Sequence, residues 1–496
     1  MERLHDACGI VGIYARENKV SIDVRRYLTL ALTALQHRGQ ESAGIMVYDS
    51  ENKIVSRVAM GKVRDVFSDM GTGLPETRCG IGHVRYSTTG SSSVENAGPF
   101  VVGMEPNQYE AIAVAHNGNL VNGPALRAQL PQEQLNSTTD SEAIAWLLLH
   151  ADGPTLRERM ISIFPLLRGA YSLVILAEGK LHAMRDPWGM RPLCLGRIGE
   201  NWIVASESCA LERLGADFTR EVEPGELITI DEHGMRGEML VRVPRQALCV
   251  FEYIYFSDAT SKLNGRYVYD VREELGRELA REHPVAADLV VPVPDSSIPA
   301  ALGYAEVAAI AYGQAIIKNR YSDRTFIKPD QRLRQLEVDL KFNLVRPKIE
   351  GARLIIVDDS IVRGNTMKRL VAALRHYGAK EIHLRSSAPP LRHPCHFGID
   401  IPQEEELIAS GRSIQEIADY IGVDSLGYLS IAGLGRAISS AEQNPIDDET
   451  ATTKLHREFC YGCMEKKGWP FDPAEAARST QLISLKRRDI AIRGAQ

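Results

Sequence analysis

The sequence predicts two folded parts in series: an α+β part with two stacked sheets between helices, then an α/β part on a parallel sheet. Three observations carry this. The first ~235 residues are rich in Gly, Ser and Thr and break into short strand-like runs between tight turns. From about residue 265, strand-like runs alternate with helical runs of about ten residues, the rhythm of a doubly wound sheet. The length of 496 residues allows about three domains, or two large ones, at ~150 residues each.

In the first part, the stretches at 10–14, 45–48, 111–115, 172–177 and 202–206 have strand composition. Helices are expected at 24–35 and 141–150. The second opens after Ser137-Thr138-Thr139-Asp140, whose side chains can cap free N–H groups. Glu223-Pro224-Gly225-Glu226 reads as a turn, and 227–230 as the last strand of this part. The second part runs helix 271–282, strand 288–293, helix 300–312, strand 315–318, strand 353–357, helix 367–377 and strand 381–385. The charged, weakly periodic stretch 321–348 predicts a mobile loop. Beyond Ala441 the chain is polar until Cys460 and Cys463, so the expected divisions are 8–235, 245–440 and a tail at 441–496.

Hydrophobic residues make up 44% and charged residues 25%, which excludes a disordered or fibrous chain. A net charge of −6 argues against nucleic acid as partner, because phosphate neutralisation needs a basic surface. No stretch reaches the ~18 apolar residues of a membrane span. The apolar run at 7–15 is short and lacks the basic flank of an export signal, so a cytoplasmic protein without a membrane partner is expected. Eight cysteines are too few for a disulfide scaffold and point to metal or catalytic roles for any special ones.

The strongest local chemistry lies at Leu354-Ile355-Ile356-Val357-Asp358-Asp359-Ser360-Ile361-Val362-Arg363-Gly364-Asn365-Thr366. A buried strand ends in two carboxylates, and a short turn then opens a helix whose N–H groups and dipole favour an anion. Gly364 lets the backbone approach a phosphate and Thr366 adds a hydroxyl. Carboxylates beside a phosphate cradle suit a sugar phosphate, accepting from ribose hydroxyls and holding hydrated magnesium. A capped helix without ligand is the plainer alternative, but paired carboxylates at a buried edge are costly without a purpose.

This segment resembles the binding motif of type I phosphoribosyltransferases, whose substrate is phosphoribosyl pyrophosphate (PRPP). The resemblance implies that Asp358 and Asp359 meet the ribose and its magnesium, and that Arg363, Gly364, Asn365 and Thr366 hold the 5′-phosphate. A second turn, Val293-Pro294-Asp295-Ser296-Ser297, is similar to the family's pyrophosphate loop, with Ser296 towards the metal.

At the other end stand Cys8-Gly9-Ile10-Val11-Gly12-Ile13, Gln36-His37-Arg38-Gly39-Gln40-Glu41-Ser42-Ala43-Gly44, Gly82-His83-Val84-Arg85-Tyr86-Ser87-Thr88, Ala115-His116-Asn117-Gly118-Asn119-Leu120 and 137–142. Together they resemble the class II glutamine amidotransferases, members of the N-terminal-nucleophile hydrolases, over about residues 8–230. Glutamine hydrolysis through a thioester needs a thiolate and a base. In that family the base is the nucleophile's own α-amino group, with a pKa near 8. Residues 1–7 are then a propeptide, removed to free Cys8. By the same resemblance Asn117 and the Gly118 N–H form the oxyanion hole, Arg85 forks the glutamine carboxylate and Asp140 holds its ammonium group. With the base so assigned, His37, His83 and His116 are read as structural.

A glutaminase half joined to a PRPP half is similar to the glutamine phosphoribosylpyrophosphate amidotransferase family over almost the whole chain. The implied reaction turns PRPP, glutamine and water into 5-phosphoribosylamine, pyrophosphate and glutamate, the first committed step of purine synthesis. Ammonia would pass inside the protein from Cys8 to PRPP, and the loop 321–348 would close over PRPP. The resemblance also implies one magnesium ion per subunit, a homotetramer and feedback inhibition by purine nucleotides. Two departures stand out: Asn365 replaces the usual Thr, and Glu337 and Asp339 stand where the family has Gly and a basic residue, although Lys341 is retained. Glucosamine-phosphate synthase and asparagine synthetase share the first half, but the segment 358–366 argues against both. A regulator that only senses PRPP is disfavoured by the complete glutaminase set.

Cys460-Tyr461-Gly462-Cys463 is a CxxC pair, and its thiolates suit a metal centre, zinc or iron–sulfur. One branch of the family carries a 4Fe-4S cluster on four cysteines placed like Cys249, Cys395, Cys460 and Cys463, and the same branch has a propeptide. The resemblance therefore implies one cluster per subunit, tying the tail to both domains. Cys79, Cys194 and Cys209 are expected to be core thiols.

Overall fold

Because both faces of most strands in the first part are covered, their sequences are apolar in both phases rather than alternating. The computed structural model describes residues 8–16, 21–86, 92–103, 111–319, 342–401, 403–439 and 446–478. The expected propeptide and residues 320–341, including Glu337, Asp339 and Lys341, lie outside the described residues. Two units result: 8–248 with 396–400 and 470–478, and 249–395 with 401–469. The tail beyond 440 is therefore no separate body: 446–469 belongs to the second unit and 470–478 to the first.

In the first unit, the strands are β1 (Gly9–Tyr14), β2 (Ser42–Tyr48), β3 (Ile54–Met60), β4 (Cys79–Arg85), β5 (Phe100–Val102), β6 (Ile112–Leu120), β7 (Gly169–Ala177), β8 (Lys180–Arg185), β9 (Cys194–Ile198), β10 (Asn201–Ala205), β11 (Asp217–Glu221), β12 (Glu226–Asp231) and β13 (Gly234–Met239). They form two sheets, in the orders β11-β9-β10-β1-β4-β2-β3 and β13-β12-β8-β7-β6-β5. Ile10, Met46, Ile81, Ala115, Val174 and Val204 share one core with residues of both sheets, so the sheets stack face to face. Helix α1 (Val24–Ala34) covers the outer face of the first sheet, through Leu28 and Leu32 on Val11 and Ile13. Helices α2 (Asp140–His150) and α3 (Leu156–Ile163) cover the second, through Ile144, Leu148 and Met160. Cys79, Cys194 and Cys209 are buried among these cores, as expected of structural thiols.

Three boundaries differ from expectation. The strand expected at 111–115 runs on to Leu120, because Asn117, Gly118 and Asn119 pair in register with Ser172, Tyr171 and Ala170 despite their poor strand propensity. The strand at 227–230 is not the last, since β13 pairs with β12 from Glu226↔Met239 to Asp231↔Gly234. In the second unit, the helix expected to reach 312 stops at Ala308 where Ala309 turns left-handed (φ 52°).

The second unit is built on a parallel sheet in the order β14 (Leu289–Pro292), β17 (Arg353–Asp358), β18 (Glu381–Ser386) and β19 (Ser425–Tyr428). Helices α4 (Val268–Glu282), α5 (Ile298–Ala308), α6 (Asn365–His376) and α7 (Ile414–Ile421) accompany it. Leu354, Ile356, Leu370, Leu374, Ile382 and Ile417 fill one side of the sheet. The stretch read as a loop is ordered at its end: β15 (Ile316–Lys318) and β16 (Phe342–Leu344) pair antiparallel, and Arg346–Ile349 form one helical turn. Helix α8 (Asp448–Glu458), capped by Asp447 on the Thr450 N–H, occupies the tail read only as polar.

Two histidines of the first unit are buried in uncharged form. Burial, and then Lys180, lower His182 to about 3; burial, then Arg85 and His116, do the same to His83. Both sit below the unfolded value of about 6.5, so the unfolded chain gains protons first as pH falls. The stability they contribute is complete above about pH 6.5 and is lost progressively towards about 3. His182→Gln, which retains a side chain able to meet Thr229, is expected to flatten this slope by up to about 1.4 kcal/mol per pH unit. Thermal unfolding at pH 7 and pH 5 checks it; an unchanged difference between the two midpoints contradicts the assignment.

Candidate active sites

Cys8 stands at the edge of β1, 9% exposed, with its Sγ 4.0 Å from the Tyr86 carbonyl. Its own carbonyl accepts from Arg38 Nε at 3.2 Å. Arg38 is paired in turn with Glu207, both fully buried, and Glu207 also receives His37 Nε2 at 2.8 Å. On the next residues of β1, Ile10 N–H donates to Ser206 Oγ at 3.0 Å, and Ser206 N–H returns a bond to the Ile10 carbonyl. The nucleophile candidate is thus fixed from behind by the Ser206-Glu207 corner.

β6 brings the second group of residues. Gly118 has φ 149°, and a Cβ there would lie 2.0 Å from the Ala170 carbonyl oxygen, so only glycine fits the register with β7. Asn117 is completely buried, and neither atom of its amide has a hydrogen-bond partner among the described residues. An unpaired buried amide costs about 1–3 kcal/mol, which makes this side chain a candidate contact for a ligand atom.

Arg85 closes β4 and is buried, with Glu41 at 4.0 Å. Asp140 opens α2. Its Oδ2 accepts from the Leu120 N–H at 2.8 Å, and its Oδ1 stands 3.5 Å from His116 Nδ1. Burial works to raise this carboxyl, but His116 and the N–H groups of Leu120 and Ser141 outweigh it and hold the group below its usual range. A carboxylate so held remains charged and still has lone pairs for an ammonium group. The loop before α2 is pinned by Glu142, which accepts from the N–H groups of Asn136 (2.7 Å) and Ser137 (2.9 Å). The three histidines read as structural engage Glu207, Asp140 and the buried interior, and none bonds the Cys8 thiol among the contacts described.

In the second unit β17 ends at Asp358, and Gly364 (φ 78°) turns the chain into α6 with no side chain capping the helix. Backbone N–H groups at a helix start of this kind favour an anion. A small pocket opens there, lined by Val293, Phe342, Asp358, Asp359, Gly364 and Thr366 among others. Ser296 Oγ donates to Asp359 Oδ2, Ser360 Oγ to Asp359 Oδ1 at 2.8 Å, and Ser297 Oγ to Asp358 Oδ1 at 3.4 Å. The two sequence-predicted turns therefore meet. The side chains of two named residues are turned elsewhere. Arg363 pairs with Glu406 at 2.7 Å, and Asn365 Oδ1 accepts from Tyr420 OH at 2.7 Å. The backbone N–H groups of Arg363 and Asn365 remain in the turn, while Glu406 engages the Arg363 guanidinium and Tyr420 the Asn365 amide oxygen.

All four expected ligand cysteines lie in the second unit. Cys249, Cys460 and Cys463 are buried and Cys395 is partly so. Val250 N–H bonds the Cys460 carbonyl, and the N–H groups of Arg392 and His393 both bond that of Cys463. Burial, then Cys395, Cys249 and Cys460, push the Cys463 thiol up, so the other three cysteines lie within electrostatic reach of Cys463. As they stand, no three or more His, Cys, Asp or Glu side chains among the described residues form a closed set around one metal ion. The tie to both domains read from sequence is replaced by a grouping within one unit.

Sequence reasoning missed Glu207 and Tyr420. Arg38 and Ser297 lay inside motif segments but were given no role. Glu207 is 169 residues from its partner, and nothing local marks it.

These two sites define a glutamine-using transferase with a phosphoribosyl-binding unit. Residues 93–213 match the glutamine amidotransferase domain family and residues 263–391 the phosphoribosyl transferase domain family. The amidophosphoribosyltransferase of Methanothermobacter thermautotrophicus is 47% identical over 88% of this chain and 91% of its own. That of Archaeoglobus fulgidus is 44% identical over 93% and 97%. The solved glutamine PRPP amidotransferase of B. subtilis, complexed with ADP and GMP, superposes with a TM-score of 0.84 at 40% identity, covering 94% of this chain and 98% of that one. The chain belongs to the amidophosphoribosyltransferase family.

Proposed function

We propose that the chain converts PRPP, glutamine and water to 5-phosphoribosylamine, pyrophosphate and glutamate, the first committed step of purine synthesis. The observation that carries this reading is the buried, unpartnered Asn117 amide on the strand beside Gly118, in a chain that also presents the Asp358–Thr366 turn. Removal of residues 1–7 frees the α-amino group of Cys8. That amine takes the thiol proton as Sγ attacks the glutamine amide carbon, and returns it to the departing nitrogen as ammonia. The oxyanion is received by Asn117 Nδ2 and the Gly118 N–H, a contribution of about 3–4 kcal/mol per donor where one has been removed. Arg85 forks the glutamine carboxylate and Asp140 takes its ammonium group. Water then cleaves the thioester to glutamate.

In the second unit Asp358 and Asp359 accept from the ribose hydroxyls. The backbone N–H groups at the start of α6, with Thr366, take the 5′-phosphate. Ammonia delivered inside the protein forms the new C1–N bond as the C1–O bond to pyrophosphate breaks. Asp358, Asp359 and Ser296 suit one hydrated magnesium ion per subunit, whose chemistry is to neutralise the pyrophosphate as it leaves. Cys249, Cys395 and Cys460, each within electrostatic reach of Cys463, make with it a four-thiol donor set that would suit one 4Fe-4S cluster per subunit, whose role would be to cross-link the four. Feedback by purine nucleotides, a homotetramer and a cytoplasmic location complete the proposal. The nucleotide-bound relative supports the first of these, and no helix among the described residues is long and apolar enough to cross a membrane.

Cys8→Ala is expected to abolish synthesis from glutamine while leaving synthesis from high ammonium; Asp358→Asn is expected to lower both by at least about tenfold. Pyrophosphate release with each nitrogen source checks this. Loss of the ammonium-driven rate in Cys8→Ala contradicts a two-site enzyme. For the cluster, protein purified without oxygen is expected to be brown with about four irons per chain, and Cys463→Ser to lose that colour. Colourless active protein carrying zinc overturns the assignment.

A further inference from the structure

Residues 396–400 follow Cys395 in sequence but belong to the first unit. They lie over the segment of β6 that holds Asn117 and Gly118. Asn119 Nδ2 donates to the His396 carbonyl at 2.9 Å, across 277 positions of chain. Arg191, only 1% exposed, donates from Nη2 to the Phe397 carbonyl at 2.9 Å. A Cβ built on Gly398 would stand 3.0 Å from the Gly118 carbonyl carbon and 3.1 Å from both the Gly118 oxygen and Asn119 Cβ. The strap is therefore in contact with the residue whose N–H the reaction would use.

The strap is itself held rigidly. The Phe397 ring meets Phe471 edge-on at 5.1 Å, and Phe471 lies 4.5 Å from Trp188. Arg191 is fixed at its backbone, where its carbonyl accepts from Arg185 Nε at 2.8 Å and from Ser172 Oγ at 3.2 Å. Ser172 is the register partner of Asn117. Its loop is organised by the buried Asp186 carboxylate, which accepts from the N–H groups of Trp188 (2.9 Å), Met190 (3.0 Å) and Tyr171 (3.2 Å). The contacts close a ring: Asn117 to Ser172 by pairing, Ser172 to Arg191, Arg191 to Phe397, and Gly398 back to Gly118. Bonds that fix both sides of a donor pair set its aim, and small misplacements of such donors cost rate rather than affinity.

We propose that residues 396–400, with Arg191 and Asn119, position the oxyanion donors Asn117 and Gly118, so that glutamine turnover depends on a strap outside the glutamine amidotransferase match. This rests on the proposed glutaminase chemistry. Asn119 and Arg191 are positioning residues; neither touches the reacting atoms in this account.

The test uses the full-length chain with Asn119→Ala, which removes the bond to His396, and Gly398→Ala, which presses a methyl group towards Gly118. Wild type and Cys8→Ala are run in parallel with glutamine and with ammonium as nitrogen source. Each strap variant is expected to lower kcat with glutamine about tenfold, less than the 10²–10³ seen when an oxyanion donor is deleted outright. KM for glutamine should stay within about twofold, because Arg85 and Asp140 bind the substrate, and the ammonium-driven rate should be unchanged. Glutamine rates equal to wild type overturn the proposal. So does an ammonium-driven rate that falls in proportion, or a loss confined to KM for glutamine. If wild type itself uses no glutamine, the glutaminase reading has failed, and that outcome is distinct from a wild type that works with strap variants that match it.

Discussion

The buried pair between Arg38 and Glu207 is the interaction on which the rest of the first unit's chemistry leans. Both groups are out of water, so neither is tolerable without the other; breaking such a pair by removing one partner costs about 3–5 kcal/mol. The pair does more than balance itself. Arg38 holds the Cys8 carbonyl, Glu207 takes His37, and its neighbour Ser206 bonds Ile10 on both sides of the backbone. The proposed nucleophile therefore sits at a strand edge bonded from both Arg38 and Ser206.

Each unit places one glycine with positive φ at the point where the proposed reaction needs backbone N–H groups to face a negative charge. Gly118 lets β6 continue past Asn117 against the Ala170 carbonyl, and Gly364 turns β17 into α6 beneath Ile408. In the proposed reaction the charge in the first unit is transient and a side-chain amide would share it; in the second it is a permanent phosphate, and a helix start with no side-chain cap would supply the N–H groups.

Much of this was legible in the sequence because the chemistry is local. Asp358 to Thr366 is one strand, one turn and one helix start, and the segments around Cys8, Arg85, Asn117 and Asp140 are each continuous. What was not legible depends on distant pairing. β6 was expected to end at Ala115, since Asn, Gly and Asn are poor strand formers; the pairing with β7 overrides that preference. Glu207 looks like any acidic residue until Arg38 is placed beside it. Arg363 and Asn365 were assigned to phosphate from their position in the turn, yet Glu406 and Tyr420, some 40 to 55 residues on, engage their side chains. The same holds for residues 396–400, which return to the first unit from beyond the second unit's central strands.

The central claim is that a single chain releases nitrogen at Cys8 and uses that same nitrogen at the PRPP turn. Glutamine labelled with ¹⁵N in its amide, supplied with PRPP, magnesium and a large excess of unlabelled ammonium at neutral pH, tests this most directly. Mass analysis of the trapped 5-phosphoribosylamine should find it carrying mostly ¹⁵N, far above the isotopic composition of the bulk ammonia. Product whose label simply follows the bulk pool would contradict the account.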